Sequence, residues 1–359
     1  MNKNLSRATF AFSLFSILLL ACQKDMEQTR LTTQVQNDSK LSHHNWQKQL
    51  LKGMGVSLGS AIGRGGDLFV PDGKTGSILR IDPRSGQSTT FATGLPPLIP
   101  DVGIGGVTDL EFLGGKAYAL VSVVDDPNLF PTGQVNGIYR IDGPNKYKII
   151  ADIGAFNLAH PPTGFAFDVS TGVLFSIHAY GHGFLVTDGH LNRVLYVTLD
   201  GKINIIKRFN NIVPTGLDVK GNQIFLSQAG PVPHLPENGK VVTFNTFSHR
   251  VKTLASGAPL LVDVEFGHGW ELFALSQGDF SGDPEGSPAL PNTGSLVKVK
   301  ADGTFKVIAD ELNQPTSLEI IGNTAYIVTL SGDVWAIGNI SGSPYGHPHW
   351  KRHIHRGRN

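Results

Sequence analysis

Carboxylates recur in this chain at a spacing of two. Asp109 and Glu111 flank Leu110, and Asp263 and Glu265 flank Val264. In a β-strand that alternation places both acids of a pair on one face and the apolar residue on the other. Asp218 and Glu319 hold the matching second position in Thr215-Gly216-Leu217-Asp218 and Thr316-Ser317-Leu318-Glu319. Acids gathered in this way can serve as oxygen ligands for a hard cation such as Ca²⁺. They can equally accept hydrogen bonds from backbone N–H groups of a neighbouring strand, as buried acceptors must. Recurrence in several repeats fits the second, structural reading, and both stay open here.

The other candidate chemistry is imidazole. His178, Tyr180, His182 and His190 fall in one short stretch, and His160 and His234 fall in other connections. Two or three of these rings could ligate Zn²⁺ or supply a general base. The spacing of His178 and His182 would share one face only on a helix, and Gly181 and Gly183 argue against a helix. The candidate metal set is therefore Asp109, Glu111, Asp263, Glu265, His178 and His182, with a divalent cation, Ca or Zn, as the possible cofactor. Three other strings are set aside. The acidic run 279–285 lacks the pattern of a helix-loop-helix Ca²⁺ loop. Gly55-Val56-Ser57-Leu58-Gly59 lacks the strand–turn–helix that a nucleophile elbow needs. Gly103-Ile104-Gly105-Gly106 has no helix after it to cradle phosphate.

The elements that must position these groups are repeats. Six segments share one pattern, from Gly76-Ser77-Ile78-Leu79-Arg80-Ile81 through Asn136–Ile141, Asn192–Val197, Gly239–Phe244 and Gly294–Val299 to Gly332–Ile337. Each opens on Gly or Asn and places an apolar residue third and sixth. Their starts lie 60, 56, 47, 55 and 38 residues apart. A repeat of roughly 40–50 residues carrying four strands is the mark of a β-propeller blade. The fold class expected is all-β, a six-bladed β-propeller.

Before each of these segments comes another echo, read as the innermost strand. It is clearest at Pro162-Thr163-Gly164-Phe165-Ala166-Phe167, Pro214–Val219 and Pro315–Ile320, degenerate at Val107–Phe112 and Leu261–Phe266, and starts with Val56–Gly59. On this reading the second strand of the third blade is Leu174–Ile177. Long loops then join second to third strands in the middle four blades: Val123–Val135, Ala179–Leu191, Ala229–Asn238 and Gln277–Thr293. Long loops on a rigid scaffold are where binding sites sit, so the loop face of the ring is the expected site.

The sixth repeat lacks a fourth strand of its own. Residues 46–52, Trp46-Gln47-Lys48-Gln49-Leu50-Leu51-Lys52, resemble the outer-strand ends of other repeats and are expected to complete it, so that the last blade is closed by an N-terminal strand and no open edge remains.

Charge is low, at 16% of residues and a net +1. That excludes the basic face of a nucleic-acid binder, and a monomer is expected. Lys3 and Arg7 precede an apolar run, 8–21, that is shorter than the about 20 residues a membrane span takes and reads as a secretory h-region. It ends Leu19-Leu20-Ala21-Cys22, and Cys22 is the one cysteine in the chain. The expected organisation is a lipoprotein signal peptide at 1–21, lipidation at Cys22, a flexible tether at 22–44, the propeller at 45–340 and a basic, His-rich tail at 341–359. The protein is then held by its lipid at the membrane of a bacterial cell envelope, on the extracytoplasmic side.

The run from Asp67 to Pro97, with Gly76-Ser77-Ile78-Leu79-Arg80-Ile81-Asp82-Pro83 and Phe91-Ala92-Thr93-Gly94-Leu95-Pro96-Pro97, resembles the ScyD/ScyE family, as do the Pro-Thr-Gly echoes. The resemblance spans about residues 46–340. It implies an exported or lipid-anchored six-bladed propeller related in form to NHL-repeat proteins, and brings no catalytic residues. The expected function is binding of a small molecule, polysaccharide or protein on the long-loop face. The alternative is a metal-dependent lactonase or related hydrolase at the channel mouth. Converging ligand atoms would favour the hydrolase, and an axis of hydrogen-bonded carboxylates the binder.

Overall fold

The computed structural model describes residues 45–248, 250–283 and 286–341. Cys22, the signal peptide, the tether up to residue 44 and the tail beyond Ser341 lie outside the described residues. The described chain forms six four-stranded antiparallel sheets. Strand β1 (Trp46–Leu51) comes first and belongs to the last sheet. Blade 1 is β2 (Ala61–Ile62), β3 (Leu68–Asp72), β4 (Ser77–Ile81) and β5 (Ser88–Ala92). Blade 2 is β6 (Gly106–Leu113), β7 (Lys116–Ser122), β8 (Gly137–Gly143) and β9 (Lys146–Asp152), followed by the helix α1 (Ile153–Ala159). Blade 3 is β10 (Leu174–Tyr180), β11 (Gly183–Asp188), β12 (Arg193–Thr198) and β13 (Ile203–Arg208). Blade 4 is β14 (Pro214–Lys220), β15 (Gln223–Gln228), β16 (Lys240–Asn245) and β17 (Lys252–Ser256). Blade 5 is β18 (Leu261–Phe266), β19 (Leu272–Ser276), β20 (Gly294–Val299) and β21 (Phe305–Leu312). Blade 6 is β22 (Pro315–Ile321), β23 (Thr324–Thr329), β24 (Val334–Gly338) and β1.

The core is divided among the seams. One cluster packs Phe69 and Ile78 of blade 1 on Leu110 and Ala119 of blade 2. Equivalent clusters join blades 2 and 3, 3 and 4, 4 and 5, and 5 and 6. A further one joins Tyr326, Val328 and Val334 of blade 6 to Leu68, Val70 and Ile81 of blade 1. A single sheet cannot cover its own two faces, so burial requires every blade to have two neighbours, and that closes the ring.

The last seam is closed as the repeat pattern requires. β1 pairs with β24 in the register Trp46↔Gly338, Gln47↔Ile337 and Lys48↔Ala336. The backbone N–H of Gly53 donates to Asp333 Oδ1 at 2.7 Å. Gly338 admits the Trp46 indole against its Cα, where any Cβ would overlap the ring.

Blade 3 departs from the expectation. Pro162–Phe167 is not a strand, and the innermost strand is β10, which the sequence reading placed second. The supposed long loop Ala179–Leu191 is therefore mostly the β11 strand. The length lies instead in the connection 153–173. Asp152 caps α1 through its side chain, accepting from the Ala155 N–H at 2.8 Å. Asp126 accepts from Ser170 Oγ at 2.7 Å and the Thr171 N–H at 3.2 Å, fixing the end of the connection to blade 2. The local pattern at 162–167 favours a strand, and those tertiary ties override it. In blade 1 the inner ladder is only Ala61–Ile62, a few residues beyond Val56–Gly59.

Candidate functional site in the central channel

Inner strands begin on the face that carries the long loops and end on the face of the tight hairpins. Their mutual register is fixed by side-chain bridges: Thr108 Oγ1 donates to the Leu174 carbonyl, Thr215 Oγ1 to that of Leu261, and Thr316 Oγ1 to that of Ser57. That register sorts the channel-facing residues into two layers. The upper layer, blade by blade, is Gly59, Asp109, Ser176, Gly216, Asp263 and Ser317. The lower layer is Ala61, Glu111, His178, Asp218, Glu265 and Glu319. The upper layer is the triplet Gly-Asp-Ser written twice, so the axis has a pseudo-two-fold inside a six-bladed ring. The glycines are obligatory, because a Cβ at Gly59 would overlap the Asp109 carboxylate and one at Gly216 that of Asp263.

Four of the carboxylates do the same job. Asp109 accepts from the Leu110 N–H at 2.8 Å and, in the next blade, from the Ile177 N–H at 2.9 Å. Asp263 accepts from Val264 at 2.9 Å and, across the seam, from Leu318 at 2.7 Å. Glu111 takes the N–H groups of Phe112, at 2.5 Å, and Ala179, at 3.0 Å. Asp218 takes those of Val219, at 2.5 Å, and Phe266, at 2.9 Å. Each acid thus staples its own strand to the following one, at the inner edge where the innermost strand of each sheet has no ladder partner.

Glu265 and Glu319 are different. Neither makes a hydrogen bond to another described residue, and both line the cavity at the axis, which has a volume of about 200 Å³. His178 stands in the same layer, with Nδ1 3.6 Å from Glu111 Oε2 and Nε2 3.7 Å from Asp218 Oδ1. Burial and crowding raise Asp109, Asp263, Glu265 and Glu319. Burial pushes Glu265 well above the usual carboxylate range, with Asp218 and Glu319 adding repulsion. Burial does the same for Glu319, helped by Asp263 and Glu111. Burial also holds Asp109 well up, against the pull of its two backbone donors. Asp263 is raised to about 7 by burial and by Asp218, again opposed by its backbone donors. Like charges this close cannot all ionise together.

Five of the six expected ligand residues, Asp109, Glu111, Asp263, Glu265 and His178, meet in this channel. His178 does so from an inner strand rather than from a loop. His182 does not join them, because it lies exposed in the β10–β11 turn on the hairpin face. Asp218 and Glu319 complete the ring. Among the described residues no three of these groups converge as a metal-holding cluster. Asp109, Glu111, Asp218 and Asp263 are held by backbone N–H groups, and Glu265 and Glu319 are not. The other histidines are structural pins. His160 stacks on Phe156 with ring centroids 4.2 Å apart, His190 Nε2 accepts from the Asp168 and Val169 N–H groups, and buried His234 bonds the Gly230 carbonyl at 2.7 Å.

No family model and no curated protein matches the chain. Its structure is similar to those of several solved six-bladed propellers. One is a gluconolactonase from Xanthomonas campestris, with TM-score 0.56 and 10% identity, covering 81% of this chain and 89% of that one. Another is the PQQ-bound aldose sugar dehydrogenase from Streptomyces coelicolor, with TM-score 0.55 and 14% identity, covering 82% and 98%. A third is virginiamycin B lyase from Staphylococcus aureus, with TM-score 0.52 and 14% identity, covering 82% and 99%. At such identities the likeness is one of fold.

Proposed function

We propose that this protein is a lipid-anchored, extracytoplasmic binding propeller of the ScyD/ScyE kind, which takes a small cationic or hydroxyl-rich ligand into its acidic channel from the loop face. The observation that carries the reading is the division of labour in the lower layer. Glu111 and Asp218 are spent on backbone N–H groups, whereas Glu265 and Glu319 keep their oxygens for something else. An acceptor in a polar cavity without a protein partner is satisfied by water or by ligand. Two such acids in a cavity that His178 also lines suit an amine or a set of hydroxyls.

Calorimetry with putrescine, as a diamine probe, and with glucose, as a hydroxyl probe, tests the reading. Binding of either that is lost in Glu265→Gln and Glu319→Gln supports it. Diamine binding should tighten as pH rises through about 7, where Asp263 ionises. Silence from both probes across that pH range would sink it.

A hydrolytic second reading takes His178, which lines the channel, as the general base. It is tested with glucono-δ-lactone. Turnover abolished by His178→Gln supports it, and turnover no faster than the uncatalysed background rejects it. Metal analysis of the purified protein decides whether Ca or Zn belongs to that reading.

A further inference from the structure

A second cavity, of about 500 Å³, opens on the loop face at the rim between blades 3 and 4. Its wall is built from strand ends that face each other in register. Arg193 at the start of β12 pairs with Arg208 at the end of β13, and Gln228 at the end of β15 pairs with Lys240 at the start of β16. Lys207 adds a fourth cation, and no acidic residue is among the described lining. Like charges placed directly opposite on neighbouring strands repel each other. Asp188 offsets Arg193 from the far side, with its Oδ2 3.6 Å from Nε, but Asp188 is itself fully buried away from the cavity wall.

Gln228 adds a neutral amide to this basic wall. It is only 5% exposed, its side chain lines the cavity, and its amide has no hydrogen-bond partner among the described residues. Its amide can therefore both donate to and accept from a molecule in the cavity. Phe165, Phe209, Ile212, Val242 and Val251 give the wall an apolar part, beside the neutral polar Thr163, Asn210 and Thr253. Phe165 comes from the 162–167 segment, which makes no strand and instead forms part of this wall.

We infer that the rim cavity binds a small organic oxyanion, a carboxylate or phosphate monoester with an apolar body, held by Arg208, Lys240 and the Gln228 amide. Arg193 is a positioning residue: its guanidinium donates to the Asn157 Oδ1 and the His160 carbonyl, both at 2.7 Å, and so fixes the connection that supplies Phe165. The site is separate from the axial channel and does not depend on what the channel binds.

The test is calorimetry of the purified mature protein in detergent micelles with phenyl phosphate, benzoate and inorganic phosphate. Phenyl phosphate or benzoate should bind more tightly than inorganic phosphate, because the ring displaces water from the apolar wall. Arg208→Gln and Lys240→Gln, both at solvent-accessible positions, should each weaken binding about ten- to a hundredfold, the range expected for losing one charge-assisted hydrogen bond. Arg208→Lys should retain most of it, and higher salt should weaken it. Adding phosphatidylglycerol to the micelles distinguishes the source. Competition that also depends on Arg208 assigns the oxyanion to a lipid headgroup, and its absence assigns it to a soluble metabolite. Phenyl phosphate and benzoate both failing to bind at about 10 mM, the weak end of small-ligand affinity, would overturn the inference. So would binding that both charge-removing variants leave intact.

Discussion

The Asp109 carboxylate in blade 2 accepts the backbone N–H of Ile177 in blade 3 at 2.9 Å. Asp263 repeats the contact three blades later, on Leu318. Three of the four acids that look like metal ligands in the sequence, Asp109, Glu111 and Asp263, are in the fold staples between inner strands. They make the channel rigid, and the two acids without such a bond are left to face its interior.

Asp109→Ala strands the Leu110 and Ile177 N–H groups at the axis. An unmet buried donor costs about 1–3 kcal/mol, so urea unfolding should show the loss of at least one such contribution. Glu319→Ala removes no described hydrogen bond and should cost less. Equal losses would contradict the assignment of roles.

The pH dependence of stability should carry the signature of raised acids. A carboxyl whose value rises on folding stabilises the fold below its unfolded value and loses that contribution as pH climbs through the folded one. For Asp263 this window runs from about 4, the usual carboxylate value, up through about 7. Glu265 and Glu319 act in the same direction. Glu265→Gln removes one such titration, so the variant should melt higher than the wild type at about pH 8 and match it at about pH 4.5, by the same linkage. A variant that melts lower at the higher pH would refute this account.

Arg193 is 1% exposed and ties β12 to α1 and the connection behind it. Arg193→Met leaves Asp188 buried beside an apolar chain. Removing one partner of a buried pair costs about 3–5 kcal/mol, and the melting temperature should fall accordingly. Hydrogen exchange should quicken first in residues 153–173.

Closure by β1 makes the N-terminal strand part of the domain. Deleting residues 23–43 should leave the melting temperature unchanged. Extending the deletion through residue 52 should abolish the cooperative transition, because blade 6 loses its outer strand and the cover over Leu50 and Leu51 contacts in the last seam.

The proposed anchor has its own check. Cys22→Ser should move the protein from the membrane pellet to the soluble fraction. A variant that still pellets after a salt wash excludes lipidation as the means of attachment.

The sequence by itself determined the number of blades and the closing role of Trp46–Leu51. Those follow from alternation and from a missing fourth strand, both of which are local patterns. It also carried the alternation that puts Asp109 with Glu111 and Asp263 with Glu265 on common faces. What it misjudged was blade 3: Pro162-Thr163-Gly164 matches the inner-strand echo residue for residue, yet α1 and the ties from Asp126 and Arg193 hold it outside the sheet. His178 consequently moved from a supposed loop to the channel, while His182 went to the opposite face. The tertiary structure alone decided which carboxylates are spent and which are free, because that depends on the stagger between inner strands of different blades. No spacing within one strand encodes that stagger. The same is true of the Gly-Asp-Ser layer, assembled only when six separate sheets close around one axis, and of the basic rim cavity, assembled where blades 3 and 4 meet.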